Sequence, residues 1–282
     1  MATAAHLLDS LATAGIRSAR QLVRARQEEE EEREPLATAH PALDRLLDGG
    51  LPRGQLVELV GGRSSGRFSL VVAVLAAITG IGEAAGLIDL GDHLDPADAA
   101  ARGADLERLL WLRPANVKQA LAGAEMLLTS GFALVVVDLG HPPLCGGRGA
   151  EAAWLRLART ARAQGAALLV ASPYRVSGTA AAAVLKAGRV EARWSGSNSL
   201  QTPAAALRVL ERLAVRLDLE KRRGALPGQS EAFQLSASPL PEPAPHRPAA
   251  RPRLQPVQAA QPARWDSDEE QQAWPRRAAA SA

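Results

Sequence analysis

The sequence has little cysteine, few aromatic residues and no long apolar run. Cys145 is the single cysteine, which excludes an intrachain disulfide and favours a reducing, cytoplasmic compartment. No apolar stretch approaches the roughly 18–20 residues that a membrane-spanning helix needs. Residues 1–11 lack the cationic start and apolar core of a secretory leader, so none is expected. Aromatic residues make up only 3% of a chain that is 47% hydrophobic, so alanine, valine and leucine must fill the core.

Concentrated charge and metal-binding patterns are also missing. The formal net charge of +3 arises mostly from arginine, and no dense Lys/Arg stripe is present, so nucleic-acid contact is permitted but not required. The histidines are scattered without the spacing of metal ligands, and no metal is assigned. They are His6, His40, His93, His141 and His246.

Composition divides the chain into three parts. Residues 1–36 form an N-terminal arm, in which residues 4–23 have the apolar pattern of a helix. The arm ends in an acidic run at residues 28–34, which predicts a solvated linker or, alternatively, an acidic docking site for a basic partner. Residues 37–235 are the predicted core domain. Residues 236–282 are rich in proline and predict a disordered tail.

The core alternates short apolar strands with longer helical stretches, which predicts an α/β fold with a mostly parallel sheet and right-handed crossovers. The valine-rich run at 134–137 is typical of a strand buried on both faces. Residues 204–223 fit either a helix or an antiparallel strand pair. The predicted strands are 56–59, 86–89, 109–112, 133–138, 167–171, 189–193 and 232–235, and the predicted helices are 43–47, 69–78, 96–103, 117–130 and 149–164.

Residues 56–70, LVELVGGRSSGRFSL, have the glycine spacing of a phosphate-binding P-loop between a strand and a helix. Gly61 and Gly66 occupy the two glycine positions, and their amides would form an anion-binding nest at a helix N-terminus. Arg67 stands where the motif has a lysine that reaches the β- and γ-phosphates. Phe68 stands where a hydroxyl would hold magnesium. The pattern therefore predicts a P-loop fold with a degenerate nucleotide site.

The same loop also satisfies the G-x-S-x-G pattern of a hydrolase nucleophile elbow, with Ser64 as the candidate nucleophile. That chemistry needs an acid and then a histidine later in the chain. Asp138 followed so closely by His141 fits this order poorly. Labelling of Ser64 by a fluorophosphonate probe would support this alternative. Cys145, in the Pro/Gly loop at 141–148, is expected to be an incidental thiol.

Three further segments carry a resemblance to a known family. They are HPALDRLLDGGLPRG at 40–54, GLIDLGDHLDP at 86–96 and ALVVVDLG at 133–140. Their order and spacing around the P-loop resemble the RecA family of recombinases and their degenerate relatives. More narrowly, residues 37–200 resemble the ImuA proteins, RecA-like accessory factors of bacterial mutagenic translesion synthesis.

The resemblance assigns roles to single positions. Arg67 and Phe68 match the phosphate-binding lysine and the magnesium-binding threonine, whereas Asp138 matches the acidic residue at the end of the Walker B strand. Gly91 stands where the family has the glutamate that activates water, and the neighbouring Asp92 is expected to point elsewhere.

Further positions concern nucleotide sensing and DNA. Pro173 stands where recombinases have a glutamine that senses the γ-phosphate. Phosphoryl transfer depends on positioned charges, so ATP hydrolysis is expected to be lost and no cofactor is assigned, although weak ATP binding stays open.

The segment at 176–186 that precedes the next strand is shorter than the family's second DNA-binding loop, so DNA binding is expected to be weak or indirect. The candidate contacts to DNA phosphates are Arg175, Lys186, Arg189 and Arg193. Alternatively, these residues form a solvated basic surface.

The tail contains Trp265 and Trp274, which a hydrophilic segment does not need for itself. Ser267 and Glu270 form a helix-capping pattern between them, and Pro275 would end that helix. The segment could fold on a partner with a tryptophan as anchor, although two incidental tryptophans remain the alternative.

The resemblance implies a non-catalytic adaptor in SOS-induced translesion DNA synthesis. Its implied partners are ImuB, a relative of Y-family polymerases, and an error-prone DnaE-type polymerase. RecA itself and a second copy of the chain are further candidates. The alternatives are an active DNA-dependent ATPase of RecA type and a cell-division inhibitor of SulA type. Nucleotide turnover would identify the ATPase, and binding to the division tubulin would identify the cell-division inhibitor.

Overall fold

The protein is described by a computed structural model that covers residues 33–140, 150–194, 210–224 and 228–236. Eight strands form one sheet in the order β3-β2-β4-β5-β1-β6-β7-β8. The first six strands in chain order pair in parallel, and the last two add on antiparallel. Their bounds are Leu56–Val60 (β1), Ala85–Asp89 (β2), Leu109–Leu112 (β3), Leu134–Asp138 (β4), Ala167–Ser172 (β5), Ala183–Trp194 (β6), Leu210–Arg222 (β7) and Ser230–Ser236 (β8).

Helices cover both faces of the sheet. They are Pro41–Leu46 (α1), Arg67–Gly80 (α2), Pro96–Ala101 (α3), Val117–Thr129 (α4) and Ala150–Gln164 (α5), with a short 3-10 helix at Leu106–Arg108. α1, α2 and α3 pack on one face and contribute to one hydrophobic core. α4 and α5 pack on the other face and form a second core.

The central strands are apolar because both of their faces are covered. Every residue of β4 is buried, and the strand pairs with β2 on one side and β5 on the other. β1 is likewise fully buried between β5 and β6. Continuous Val/Leu runs are typical of such parallel strands. The predicted α/β fold with a mostly parallel sheet is therefore confirmed.

One predicted strand was wrong in extent, and the structure resolves one segment that the sequence left ambiguous. β6 begins at Ala183, six residues before the predicted start at 189, so residues 183–186 belong to a strand and not to the preceding loop. Alanine has a low strand propensity, but Ala183, Val184 and Leu185 are buried between β1 and β7, and tertiary pairing decides. The segment at 204–223 contributes one long strand, β7, which pairs with both β6 and β8.

Several predicted features lie outside the described residues. These are the N-terminal helix at 4–23, the loop at 141–148 with His141 and Cys145, and the tail with Trp265 and Trp274. The three-part domain division stays a prediction. Among the residues that the structure describes, no helix is both long and apolar enough to cross a membrane.

Candidate functional site

The P-loop connects the carboxyl end of β1 to the start of α2, at the sheet edge where ligands of open α/β folds bind. Gly66 is the N-cap of α2 and has a φ of 82°, a left-handed conformation that favours glycine. A Cβ atom at Gly66 would lie 2.7 Å from Val215 Cγ2 and 2.9 Å from Leu235 Cδ1. The loop is therefore packed tightly against side chains from β7 and β8.

Arg67 turns its side chain inward, and only 4% of it is exposed. Its guanidinium donates to the carbonyl oxygen of Gly61 at 2.6 Å, to that of Gly140 at 3.2 Å and to Asp138 Oδ1 at 3.4 Å. Gly61 directly follows β1, Asp138 is the last residue of β4, and Gly140 lies two residues after it. The guanidinium thus bridges the ends of the two strands that would face a bound nucleotide and its metal.

Asp138 is completely buried and is neutralised from two sides. One oxygen accepts from Arg67, and the other lies 2.8 Å from Nδ1 of His93. An ionised carboxylate can only accept, so Nδ1 of His93 carries the proton in this contact. The hydrogen bond to Asp138 raises the pKa of His93 above its ordinary value, although burial opposes this.

The charge of Arg67 is held in a largely dry environment. Burial lowers the pKa of Arg67, and the nearby Asp138 carboxylate partly offsets this effect. An arginine keeps its proton in proteins, so the guanidinium is a fixed cation. Among the described residues, its Nε atom is buried and has no hydrogen-bond partner.

Asp89 shapes the turn that presents His93. Its carboxylate accepts from the backbone nitrogens of His93, at 2.9 and 3.0 Å, and of Leu94, at 2.9 Å. It also accepts from Trp111 Nε1 at 3.3 Å. Asp92 has a φ of 53°, which reverses the chain immediately before His93. The turn after β2 therefore places a histidine at the end of β4.

Phe68 lies beside this cluster, against the core under α2. Its ring meets the ring of His93 edge-on, with 5.3 Å between the centroids. Asp92 pairs with Arg113 at 2.7 Å on the surface, so its side chain points elsewhere, as expected. Gly91 contributes no side chain, and a Cβ atom there would meet the ring of His93 at 2.5 Å.

The structure brings together three potential metal ligands that the sequence analysis did not connect. Asp89, His93 and Asp138 each offer one atom, and these atoms lie within 4.8 Å of one another. However, the oxygens of Asp89 already accept hydrogen bonds, and Asp138 already pairs with Arg67. A divalent cation would have to break the contact between His93 Nδ1 and Asp138, so the present arrangement does not fit one. The prediction that no metal binds stays a prediction.

Another buried carboxylate fixes the connection between β5 and β6. Glu58, in the middle of β1, is completely buried and accepts from the backbone nitrogens of Val176 and Ser177 and from the Ser177 hydroxyl. Pro173 begins this connection, and the Ser172 hydroxyl donates to the carbonyl oxygen of Tyr174. The sequence analysis missed Glu58, although a charged residue inside a buried strand was a usable signal.

The basic residues considered for DNA contact are all exposed. Lys186 pairs with Glu220 at 3.4 Å, and Arg193 lies 3.8 Å from Glu191. These cations are therefore interspersed with acidic side chains on β6 and β7. Ser64, the candidate hydrolase nucleophile, is exposed on the P-loop with a φ of 57°.

The sheet order and the loop after β1 define an α/β protein of the RecA-like class. Residues 17–140 match the sequence model of the RecA N-terminal domain. The chain is 39% identical over 97 residues to the protein RecA of Picosynechococcus sp., and 42% identical over 113 residues to that of Clavibacter michiganensis subsp. michiganensis. These matches support a relationship to the RecA-like family.

The matches cover only part of each protein. They include 34% and 38% of this chain but 28% and 31% of the two relatives, respectively. The chloroplastic DNA repair protein recA homolog 1 of Arabidopsis thaliana is 39% identical over 97 residues, which are 22% of its length. The crystal structure of the RadB recombinase superposes with a TM-score of 0.55 and 19% identity, over 71% of this chain and 96% of that one. The RadB likeness shows the fold alone.

Proposed function

We propose that this chain is a non-catalytic RecA-like adaptor whose P-loop holds a guanidinium in place of a nucleotide and its metal. The observation that carries the proposal is the buried Arg67 side chain, bonded to Gly61, Gly140 and Asp138. A guanidinium supplies a positive charge beside Asp138, where the resemblance implies a magnesium ion. The guanidinium is part of the chain itself. It therefore competes with a metal–nucleotide complex for the place beside Asp138 at every nucleotide concentration.

Binding of Mg-ATP would require three unfavourable changes. Arg67 would have to leave its carbonyl acceptors, Asp138 would lose its buried counterion, and Phe68 offers magnesium no oxygen. Breaking a buried ion pair costs about 3–5 kcal/mol, which corresponds to a loss of about a hundredfold to several thousandfold in binding affinity.

The test is calorimetric titration of Mg-ATP into the purified chain and into a double variant, Arg67→Lys with Phe68→Thr. The wild type is expected to give no binding heat at high micromolar ATP. The double variant rebuilds the complete motif and is expected to bind, because a lysine reaches the phosphates and a threonine holds the metal.

The single variant Arg67→Lys is the matched control, since it frees the site but keeps Phe68. It is expected to bind ATP more weakly than the double variant. Saturable Mg-ATP binding by the wild type, with hydrolysis stimulated by single-stranded DNA, would contradict the adaptor proposal and favour a DNA-dependent ATPase.

The partners follow from the resemblance to the ImuA proteins. We propose that the RecA-like core and the tail dock ImuB and an error-prone DnaE-type polymerase during SOS-induced translesion synthesis, with RecA as a further candidate. A RecA-like domain that does not hydrolyse ATP can still bind other proteins through the surfaces of its sheet and helices. DNA contact in this proposal is weak or indirect, and no nucleotide cofactor is needed.

Pull-downs with each purified partner test this proposal. The full chain is compared with a variant that lacks residues 240–282 and with the double variant Trp265→Ala, Trp274→Ala. Retention of one partner by the full chain and its loss from both variants would support a tail anchor. Equal retention by all three proteins would overturn the role of the tail, and no retention by the full chain would overturn the adaptor role.

A further inference from the structure

β8 forms one end of the sheet, and its outer side is an open strand edge. The strand pairs with β7 over seven residues, from Ser230 to Ser236, without a register shift. Among the described residues, no strand pairs with its other side. The strand at the opposite end of the sheet, β3, has four residues. The open edge of β8 is therefore the longer of the two sheet ends.

The register shows which backbone groups of β8 face outward. The backbone nitrogen of Leu219 donates to the carbonyl oxygen of Gln229 at 2.8 Å, and hydrogen-bonded pairs recur at every second residue of an antiparallel ladder. The backbone groups of the odd-numbered residues of β8 therefore face β7, and those of Ala232 and Gln234 face the open side. Outward N–H and C=O groups in this arrangement are the template for an added strand.

The usual protection of a strand edge is missing from β8. Proteins block such edges with lysine, proline or a bulge. β8 contains neither lysine nor proline, and its ladder with β7 has no bulge. Its one charged residue, Glu231, lies on the side of α1 and pairs with Arg45 at 2.7 Å. Phe233 packs against the core on the same side. Nothing in the sequence of β8 therefore opposes the pairing of another strand with its open edge.

Two arginines of β7 lie on the sheet face that is turned away from α1. Leu213, Val215 and Leu217 pack into the core on the side of α1. Because side chains alternate along a strand, Arg212 and Arg216 point to the other face, where both are exposed. They are four residues apart, which corresponds to about 13 Å along the strand. The face therefore presents two cations at a defined spacing.

Only uncharged side chains of β8 lie between these arginines and the open edge. Arg216 is directly opposite Ala232. Arg212 lines a shallow depression of this face together with Gln234. Both of these β8 residues are exposed. A strand added beyond β8 would lie ~10 Å from β7, a distance that an arginine and a glutamate side chain can span together.

The positive charge of this face is only partly balanced. Arg216 pairs with Asp218 at 3.2 Å. Arg193 is directly opposite Arg212 in the ladder of β6 and β7, and it lies 3.8 Å from Glu191. The structure contains no ion pair between Arg212 and another residue of the described ranges. Like charges directly opposite each other on neighbouring strands are destabilising, so a carboxylate beside Arg212 would be favourable.

We propose that the open edge of β8 binds an extended segment of a partner protein as an added strand, and that this segment carries acidic side chains four residues apart. The backbone groups of Ala232 and Gln234 supply the hydrogen bonds, and Arg212 and Arg216 select the carboxylates. This inference depends neither on the state of the P-loop nor on the partners proposed above.

Two other occupants fit the edge less well. A second copy of β8 brings no carboxylate to the arginines, because its single acid, Glu231, lies on the side of α1. The continuous phosphates of a nucleic acid would meet Glu191 and Asp218 on the same face, and they offer no backbone hydrogen bonds of the kind a strand forms. An acidic peptide strand satisfies both the edge and the arginines.

Three fluorescent peptides test the proposal by anisotropy titration with the full chain. The first, TVETVTETV, has two glutamates four residues apart and placed symmetrically, so either strand direction presents them alike. The second, TVQTVTQTV, replaces them with glutamine and is expected to bind about tenfold more weakly, because two exposed charge pairs are lost. The third, TVETVETTV, has the composition and charge of the first, but its glutamates lie on opposite strand faces. It is expected to bind about fivefold more weakly than the first.

Variants of the chain separate the backbone contacts from the charges. Gln234→Pro removes an outward N–H but no bond to β7, and it is expected to weaken binding of the first peptide about tenfold. The matched variant Gln234→Ala keeps the N–H and is expected to bind within about twofold of wild type. The double variant Arg212→Gln, Arg216→Gln is expected to bind the first two peptides equally. Urea unfolding checks that each variant is folded.

A modified peptide tests the hydrogen bonds without any change in the protein. N-methylation of both glutamates and the central valine of the first peptide blocks its ladder, and binding is expected to be lost. Undiminished binding of this peptide, equal binding of the three unmodified peptides, or no saturable binding of the first would overturn the proposal.

Two further outcomes would assign the surface to another occupant and would also overturn the proposal. A dimer of the free chain in sedimentation that Gln234→Pro dissociates would assign the open edge to a second copy. A single-stranded oligonucleotide that displaces the first peptide, and whose own binding is unchanged by Gln234→Pro, would assign Arg212 and Arg216 to nucleic acid.

Discussion

At the scale of single residues, the shape of the Arg67 side chain determines what the P-loop encloses. A guanidinium is planar and carries five N–H donors, so it can contact two carbonyl oxygens and a carboxylate at once. An ammonium group at the same position has three donors around one point and would leave some of these acceptors without a partner. Arg67 thus departs from the P-loop motif and also forms a structural ion pair with Asp138.

The first prediction concerns this pair. Asp138→Asn leaves the Arg67 charge buried without its counterion, and the free energy of unfolding is expected to fall by about 3–5 kcal/mol. Arg67→Met is expected to cost less, because His93 still contacts Asp138. The double variant should be more stable than the sum of the two losses predicts, by ~1–3 kcal/mol. Urea unfolding at pH 7 measures all four proteins, and strict additivity would show that the two side chains do not interact.

The second prediction concerns His40, which precedes α1. Its ring meets the ring of Phe233 in β8 at 4.2 Å between centroids, and its Nδ1 is buried with no partner among the described residues. Burial lowers the pKa of His40 from its ordinary value of 6.5, although Asp44 partly offsets this.

The lowered pKa of His40 determines how stability depends on pH. The unfolded chain binds a proton at His40 more readily than the folded chain, so this contribution to stability is present above pH 6.5 and is lost as the pH falls through the lowered pKa. Wild type is expected to lose more unfolding free energy between pH 7 and pH 5 than His40→Phe, which keeps an aromatic ring against Phe233. Equal losses in urea unfolding at the two pH values would refute this.

At the scale of elements, the P-loop is held in place by the last two strands. The third prediction compares two glycines of the loop. Gly66→Ala places a methyl group against Val215 and Leu235 at a φ of 82°, so a loss of about 1–3 kcal/mol is expected. A Cβ atom at Gly62 would have no neighbour within 4 Å, and the φ of Gly62 is not left-handed, so Gly62→Ala should change stability by less than about 0.5 kcal/mol.

Thermal and urea unfolding of both alanine variants measure the difference. A similar loss for Gly62→Ala and Gly66→Ala would mean that backbone freedom in the loop, and not its contact with β7 and β8, controls stability.

The elements differ in how well the sequence predicts them. β4 was predicted nearly to the residue, because LVVVD is a continuous apolar run between a glycine-led turn and a loop. The first half of β6 was missed because it continues an alanine run at 180–183 that carries little strand signal, and its pairing with β1 is set by residues about 125 positions apart. β7 was ambiguous because its alternating charged and apolar residues also fit a helix.

The candidate site was predictable in part. The P-loop motif proposed Gly61, Gly66 and Arg67, and the resemblance proposed Asp138. Neither gave the direction of the Arg67 side chain, which depends on carbonyl groups at the ends of two strands. His93 was beyond sequence reasoning because its position depends on a left-handed residue, Asp92, inside the turn. Glu58 was visible in the sequence, yet its partners lie 118 and 119 residues away.

At the scale of the whole molecule, two hydrophobic cores lie on opposite faces of one sheet, and two of the buried carboxylates, Asp138 and Glu58, bind loops beside it. Asp138 ties the P-loop to β4, and Glu58 ties β1 to the connection before β6. Removal of either carboxylate would therefore loosen contacts between distant parts of the chain.

The position of β1 in the middle of the sheet affects how the protein is made. β1 is synthesised before both of its neighbours, β5 and β6, which begin at Ala167 and Ala183, more than a hundred residues later. At ~5–20 residues per second, the ribosome leaves this apolar strand without either pairing partner for several seconds or longer. During that time both of its edges can pair with other chains. The nascent chain is therefore exposed to such pairing for longer than a fold that pairs its strands in the order of synthesis.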